Sequence, residues 1–270
     1  MTALSELATD LRFALAPVAF AREVLGFATL DPWQEAALRW SGKRALWNCA
    51  RQTGKSTIAA SIGLHTAVYV PRSLTLLVSR SLRQSSELFR KVADGLDRLT
   101  VKPALAEDNR LSMQLENGAR VVSLPSTQGT IRGYSGATLI IEDEASQVPD
   151  ELHMAIRPML AVSGGRLILM SSPYGRRGHF FEAWENGGPD WERVMVKATE
   201  CPRISAAFLA EERRSMGVWW FVQEYCCEFR ETVDQVFPYD LVRSAVSDMV
   251  KPVASEEQRS KRPWQSALSA

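Results

Sequence analysis

The chain has 270 residues, 46% of them hydrophobic, enough for one large packed domain with or without a small appendage. Its net charge is +1, so no global basic excess marks a nucleic-acid binder, and any footprint for a polyanion must be local. Four cysteines without a C-x-x-C pair, and only three histidines, argue against a structural zinc site and for free thiols in a reducing, cytoplasmic setting.

The first twenty residues carry acids early and no basic leader, and the longest weakly polar run, residues 58–70, is short and interrupted by Ser61 and His65. Neither a signal peptide nor a membrane span is expected. Residues 1–30 read as an N-terminal helical segment, with one or two helices over 4–25 broken by Pro17. Residues 31–40 predict a capped helix, with Asp31 at the cap, Pro32 in the first turn and Glu35 near the positive end of the dipole. Residues 45–49 predict a buried strand, followed by a glycine-containing turn and a helix from Lys55 to about Val70.

The same strand–turn–helix unit recurs. Residues 74–79 predict a strand and 82–99 a helix; 111–115 and 120–124 flank Asn117-Gly118, a hairpin signal. Strands at 138–141 and 166–170 precede helices near 151–160 and 179–186. A last strand is expected at 194–198, and two helices separated by Gly217 over 205–229. From Lys251 onward apolar periodicity is lost, which predicts a disordered tail over 251–270. Apolar strands alternating with helices predict an α/β fold, a mostly parallel central sheet with helices on both faces. Residues 31–200 form the expected core, and 201–250 a small helical subdomain or lid.

Between the strand at 45–49 and the helix from Lys55 lies Cys49-Ala50-Arg51-Gln52-Thr53-Gly54-Lys55-Ser56-Thr57. This is a P-loop with Cys49 in place of the first glycine of G-x-x-x-x-G-K-[ST]. Gly54 lets backbone N–H groups reach phosphates, Lys55 supplies a point charge for them, Ser56 offers a magnesium ligand, and the helix N-terminus adds its dipole. ATP with Mg2+ is the expected ligand pair, with residues 51–57 lining the nucleotide. Downstream, Leu139-Ile140-Ile141-Glu142-Asp143-Glu144-Ala145 ends an apolar strand in three acids. Open α/β sheets place their sites at such carboxyl ends. Asp143 is expected to support the metal and Glu144 to polarise the attacking water. A register shifted by one would make Glu142 and Asp143 the working pair, and Glu142 has no role in the first reading.

These residues together resemble the large terminase subunits of tailed phages. Arg51-Gln52-Thr53-Gly54-Lys55-Ser56 is similar to that family's variant P-loop, and Asp143-Glu144-Ala145 to its second acidic motif. Ser171-Ser172-Pro173 resembles its coupling motif, and Pro32-Trp33-Gln34 its upstream glutamine motif, which implies that Gln34 reads the adenine edge. Thr130 to Ser135, Gln223-Glu224-Tyr225 and Glu228-Phe229 add to the resemblance. It implies the register with Asp143 and Glu144 as the working acids, Arg51 as an arginine finger, and Ser171 and Ser172 as sensors of the γ-phosphate. For Arg51, pairing with a nearby acid to hold the loop stands as an equal alternative. The basic loop Tyr174–His179 offers Arg176 and Arg177 as DNA phosphate contacts, beside the reading as a solvated turn.

The resemblance implies an ATP-driven motor that packages double-stranded DNA, working with a portal protein and a small terminase subunit as a homo-oligomeric ring. It also implies a nuclease domain, for which the residues after Phe237 supply neither strands nor converging carboxylates, so no cutting activity is expected of this chain. A helicase-like nucleic-acid-dependent ATPase and an inactive nucleotide-binding remnant are the other readings.

Overall fold

Short apolar runs become the central strands of one mixed sheet, whose edge strand at Leu105–Asp108 is an exposed, half-acidic segment the sequence did not mark. The computed structural model describes residues 3–124, 133–231 and 237–245. Among these, the strands are β1 (Arg44–Cys49), β2 (Leu74–Ser79), β3 (Leu105–Asp108), β4 (Ser112–Leu115), β5 (Arg120–Leu124), β6 (Leu139–Asp143), β7 (Arg166–Ser171) and β8 (Glu192–Val196). They lie in the order β3-β4-β5-β2-β6-β7-β1-β8. β5, β2, β6, β7, β1 and β8 are mutually parallel. β4 runs antiparallel to both β3 and β5. The expected hairpin joins β4 to β5, where Gly118 takes a φ of 80°.

The helices are α1 (Ala3–Leu15), α2 (Pro17–Ala19), α3 (Pro32–Arg39), α4 (Lys55–Tyr69), α5 (Leu82–Asp97), α6 (Asp150–Ile156), α7 (Gly178–Asn186), α8 (Ala206–Cys226) and α9 (Tyr239–Ala245). Side chains alternate across a strand, so the two faces of the sheet build separate cores. Leu139 and Ile141 of β6 join Ile58 and Ile62 of α4 and Leu88 and Val92 of α5. Ile140, between them in sequence, joins Leu152 and Ile156 of α6 and Phe180 of α7 on the other face. A third cluster packs Leu209, Phe221 and Tyr225 of α8 against Ala50 and Ala198. Each large side chain withdrawn from water here stabilises the fold by about 2 kcal/mol.

Among the departures from the sequence expectation, three have local reasons. β6 runs on through Glu142 and Asp143, because these residues pair with Val78 and Ser79 of β2 in the ladder. α6 stops at Ile156 and residues 157–160 tighten into a 3-10 turn, where Pro158 has no N–H to continue an α-helix. Gly217 interrupts α8 with φ 79° and ψ 160°, so the two expected helices share one long element with a break inside it.

By internal contacts the chain divides into Met1–Arg230 and Glu231–Ala270. α8 belongs to the first unit. In the second, α9 begins with the Tyr239 N–H donating to Glu231. The expected tail at 251–270 and residues 130–132 of the resemblance lie outside the described residues. Among those described, no helix is long and apolar enough to cross a membrane.

Candidate nucleotide site

β1 ends at Cys49, fully buried, and the chain turns through residues 50–54 before α4 starts at Lys55. Two residues of the turn take left-handed backbone: Gln52 at φ 63° and Gly54 at φ 92°. Gly54 is needed twice over, since a Cβ there would also lie 2.8 Å from Gln34 Nε2. The loop is tied down internally by the Thr53 hydroxyl, which donates to the Ala50 carbonyl at 2.9 Å. Its outer side is held by Gln34, whose Nε2 donates to the Thr53 carbonyl at 3.1 Å while Oε1 accepts the Asp31 N–H at 3.0 Å. Gln34 is therefore buried and engaged at both ends of its amide. As built, it fastens the loop to α3; one N–H and one lone pair are left over for the base expected from the resemblance. Thr57 sits one turn into α4, its N–H bonded to the Gly54 carbonyl.

Lys55, Ser56, Asp143 and Glu144 converge at the carboxyl ends of β1 and β6. Lys55 Nζ lies 3.6 Å from Glu144 Oε1. Ser56 Oγ lies 3.5 Å from Asp143 Oδ2, and Asp143 Oδ1 accepts the Glu144 N–H at 3.0 Å. Burial disfavours the Lys55 charge, but the carboxylates of Glu144 and Asp143 outweigh it and hold the ammonium above its usual range. Asp143 is pushed up to about 6, first by burial and then by the neighbouring Glu144 charge, which Lys55 only partly offsets. Glu144 itself occupies the left-handed region at φ 53°, a conformation that costs a non-glycine residue on the order of 1–3 kcal/mol. Hydroxyl and carboxylate oxygens facing each other beside an under-compensated acid form a donor set that fits Mg2+.

The coupling residues reach the same place from β7. Ser171 Oγ is 3.4 Å from Glu144 Oε2 and 2.7 Å from Ser146 Oγ. Ser172 Oγ donates to Glu224 Oε2 at 2.9 Å, and Pro173 is buried. Glu224 also receives Arg51 Nε at 2.8 Å, so in this structure the loop arginine pairs with an acid of α8. Beyond Pro173 the basic loop carries Arg176 over the Phe181 ring and Arg177 over the Tyr174 ring, at 5.7 and 5.6 Å from the centroids. Gln223 Oε1 accepts the Gly175 N–H at 3.3 Å.

Glu142 stands apart from the other two acids. It is fully buried on the opposite face of β6, with His153 Nδ1 3.0 Å from Oε2 and His179 Nε2 hydrogen-bonded to Oε1. Lys55 and Ser56 therefore meet Asp143 and Glu144, and the shifted register has no support in the geometry. The reading of the sequence also missed Arg203, whose guanidinium forks onto both Asp31 oxygens at 2.9 and 2.7 Å and reaches the Thr53 carbonyl at 3.2 Å. No local signal marks it. Glu224 lay inside a quoted motif but without a role.

Residues 47–243 match the family described as terminase large subunit, T4likevirus-type, N-terminal. The chain belongs to the large terminase subunit family. The large terminase subunit of Thermus virus P23-45 is 27% identical, over 76% of this chain and 49% of that protein. The chain thus spans about half the length of the curated relatives it matches. Its fold is shared with the large terminase ATPase domain of Thermus phage P74-26, with a TM-score of 0.70 at 23% identity, covering 80% of this chain and all of that domain. It is also shared with the large terminase of bacteriophage D6E, solved in complex with ADP, with a TM-score of 0.62 at 10% identity over 74% of this chain and 54% of that one. The α/β sheet with helices on both faces is the terminase ATPase architecture.

Proposed function

We propose that this chain is an ATP-hydrolysing motor domain that powers movement of double-stranded DNA into a procapsid. The observation that carries the reading is the meeting of Lys55 and Ser56 with Glu144 and Asp143, at 3.6 and 3.5 Å, across elements far apart in sequence. The D6E large terminase, which shares this fold, is solved in complex with ADP, which supports nucleotide binding by this chain.

The backbone N–H groups of residues 53–56, at the positive end of α4, cradle the phosphates. Lys55 leaves its carboxylate partner for the β- and γ-phosphate oxygens, whose negative charge takes over from Glu144 in keeping the ammonium protonated. Ser56 and Asp143 would hold Mg2+, which would supply positive charge to offset that developing on the phosphates. Glu144, freed of Lys55, orients the attacking water and accepts its proton. Ser171, in contact with Glu144, and Ser172, in contact with Glu224, sense whether the γ-phosphate is present. Arg51 releases Glu224 and turns to the transition state. Arg176 and Arg177 face DNA phosphates. A ring of such chains on a portal protein, with a small terminase subunit, in the host cytoplasm is the setting this chemistry serves.

The test is steady-state ATP hydrolysis by the purified chain with magnesium, with and without double-stranded DNA. Turnover by the parent and its loss in both Glu144→Gln and Lys55→Ala support the reading. A parent that does not bind ATP overturns it.

A further inference from the structure

Glu142 has no part in the chemistry above, yet it is fully buried one residue from the metal-supporting acid. A carboxylate taken out of water costs several kcal/mol unless it is paired. Here both oxygens are taken, by His153 of α6 and by His179 at the start of α7. The network continues outward: His179 Nδ1 lies 2.8 Å from Asp150 Oδ1, and the His179 N–H donates to the same oxygen at 2.8 Å. The two imidazoles stack at 4.0 Å between centroids and 10° between planes. The planes of rings so nearly parallel meet only far beyond bonding distance, and imidazole donates to a metal close to its own plane. As built, the trio is a hydrogen-bonded clamp.

Position gives the clamp its meaning. Asp143 and Glu142 alternate across β6, so one reports to the phosphate loop and the next to α6 and α7. His179 directly follows the Tyr174–Gly178 loop that carries Arg176 and Arg177. We propose that Glu142 is a positioning residue that, through His179, links the end of β6 to this basic loop, so that the nucleotide site and the loop shift together. The inference rests on the motor reading above and names the path by which its two sites communicate.

The experiment uses the full chain and two variants, His179→Asn and Asp150→Asn. Asp150 is largely exposed, so its variant keeps the fold even if His179→Asn does not. Hydrogen–deuterium exchange over residues 174–179 is measured without nucleotide, and ATP turnover with and without linear double-stranded DNA. The expected result is faster exchange in the loop, basal turnover unchanged, and DNA stimulation reduced by about fivefold or more. Unchanged exchange and stimulation overturn the proposal. So does a fall in basal turnover with the stimulation ratio intact, which marks structural support only. One equivalent of Zn2+ bound by the parent and lost in His179→Asn overturns the clamp in favour of a metal centre. A parent without DNA stimulation sinks the motor reading instead, and the exchange data then decide the clamp alone.

Discussion

The two faces of β6 are built to opposite standards. On one, Asp143 and Glu144 meet their partners at 3.5 and 3.6 Å, and burial beside a like charge pushes Asp143 up to about 6. On the other, Glu142 is saturated by two histidines, whose hydrogen bonds outweigh its burial and hold its pKa below the usual carboxylate range. On the first face an acid is left under-compensated; on the second both carboxylate oxygens are paired. A fully satisfied buried network rigidifies the elements it joins, whereas under-satisfied groups stay free to take new partners.

The comparison breaks most sharply at Glu144. Glu144→Gln is expected to lower turnover by about 10²–10⁴-fold while ATP binding persists, as read by single-turnover kinetics beside a binding titration. On the closed face the loss should appear as stability. Glu142→Ala leaves two imidazoles without their acceptor and is expected to cost about 3–5 kcal/mol in urea unfolding.

Asp143→Asn sharpens the contrast because its sign is reversed. The folded pKa of Asp143 lies above its ordinary value of 3.8, so the charged form costs stability above about pH 6, and the cost fades as pH falls toward 3.8. The amide is therefore expected to stabilise the ligand-free protein at pH 7–8 by about 3 kcal/mol. It should also abolish magnesium-dependent turnover. For the parent, magnesium competes with the proton, so its apparent affinity falls as pH drops below about 6; a titration at pH 5.5 and 7.5 checks this. The smallest effect is expected at Arg203. Its half-exposed pair with Asp31 contributes at most about 1 kcal/mol, so Arg203→Ala shifts the melting temperature little. A rise in KM for ATP by about two- to fivefold would reflect the loosened Thr53 carbonyl.

Much of this was legible from residues close together in sequence. The P-loop, the acids of β6 and the hairpin at Asn117-Gly118 each announce themselves within ten residues, because turn chemistry and apolar runs are local. Glu142 was not legible, since an acid that ends an apolar run reads as the start of a loop. Its partners lie 11 and 37 residues downstream, and only the packing of α6 and α7 brings them in. Arg203 is further still, 172 residues from Asp31. Gln34 carried a clue that the functional reading outweighed: a glutamine three residues after a capping aspartate reaches back to the cap N–H.

The sheet order has one more consequence. β7 lies between β1, which delivers the phosphate loop, and β6, which delivers the acids. Hydrogen-bonded strands keep a spacing of about 4.8 Å, so the backbones of β1 and β6 stand roughly 10 Å apart by construction, and side chains close the interval. That interval acts as a fixed gauge. Side-chain substitutions cannot retune it, because the backbone ladder sets it. The end of β7 at Ser171, with Ser172 just beyond it, lies between the two strand ends.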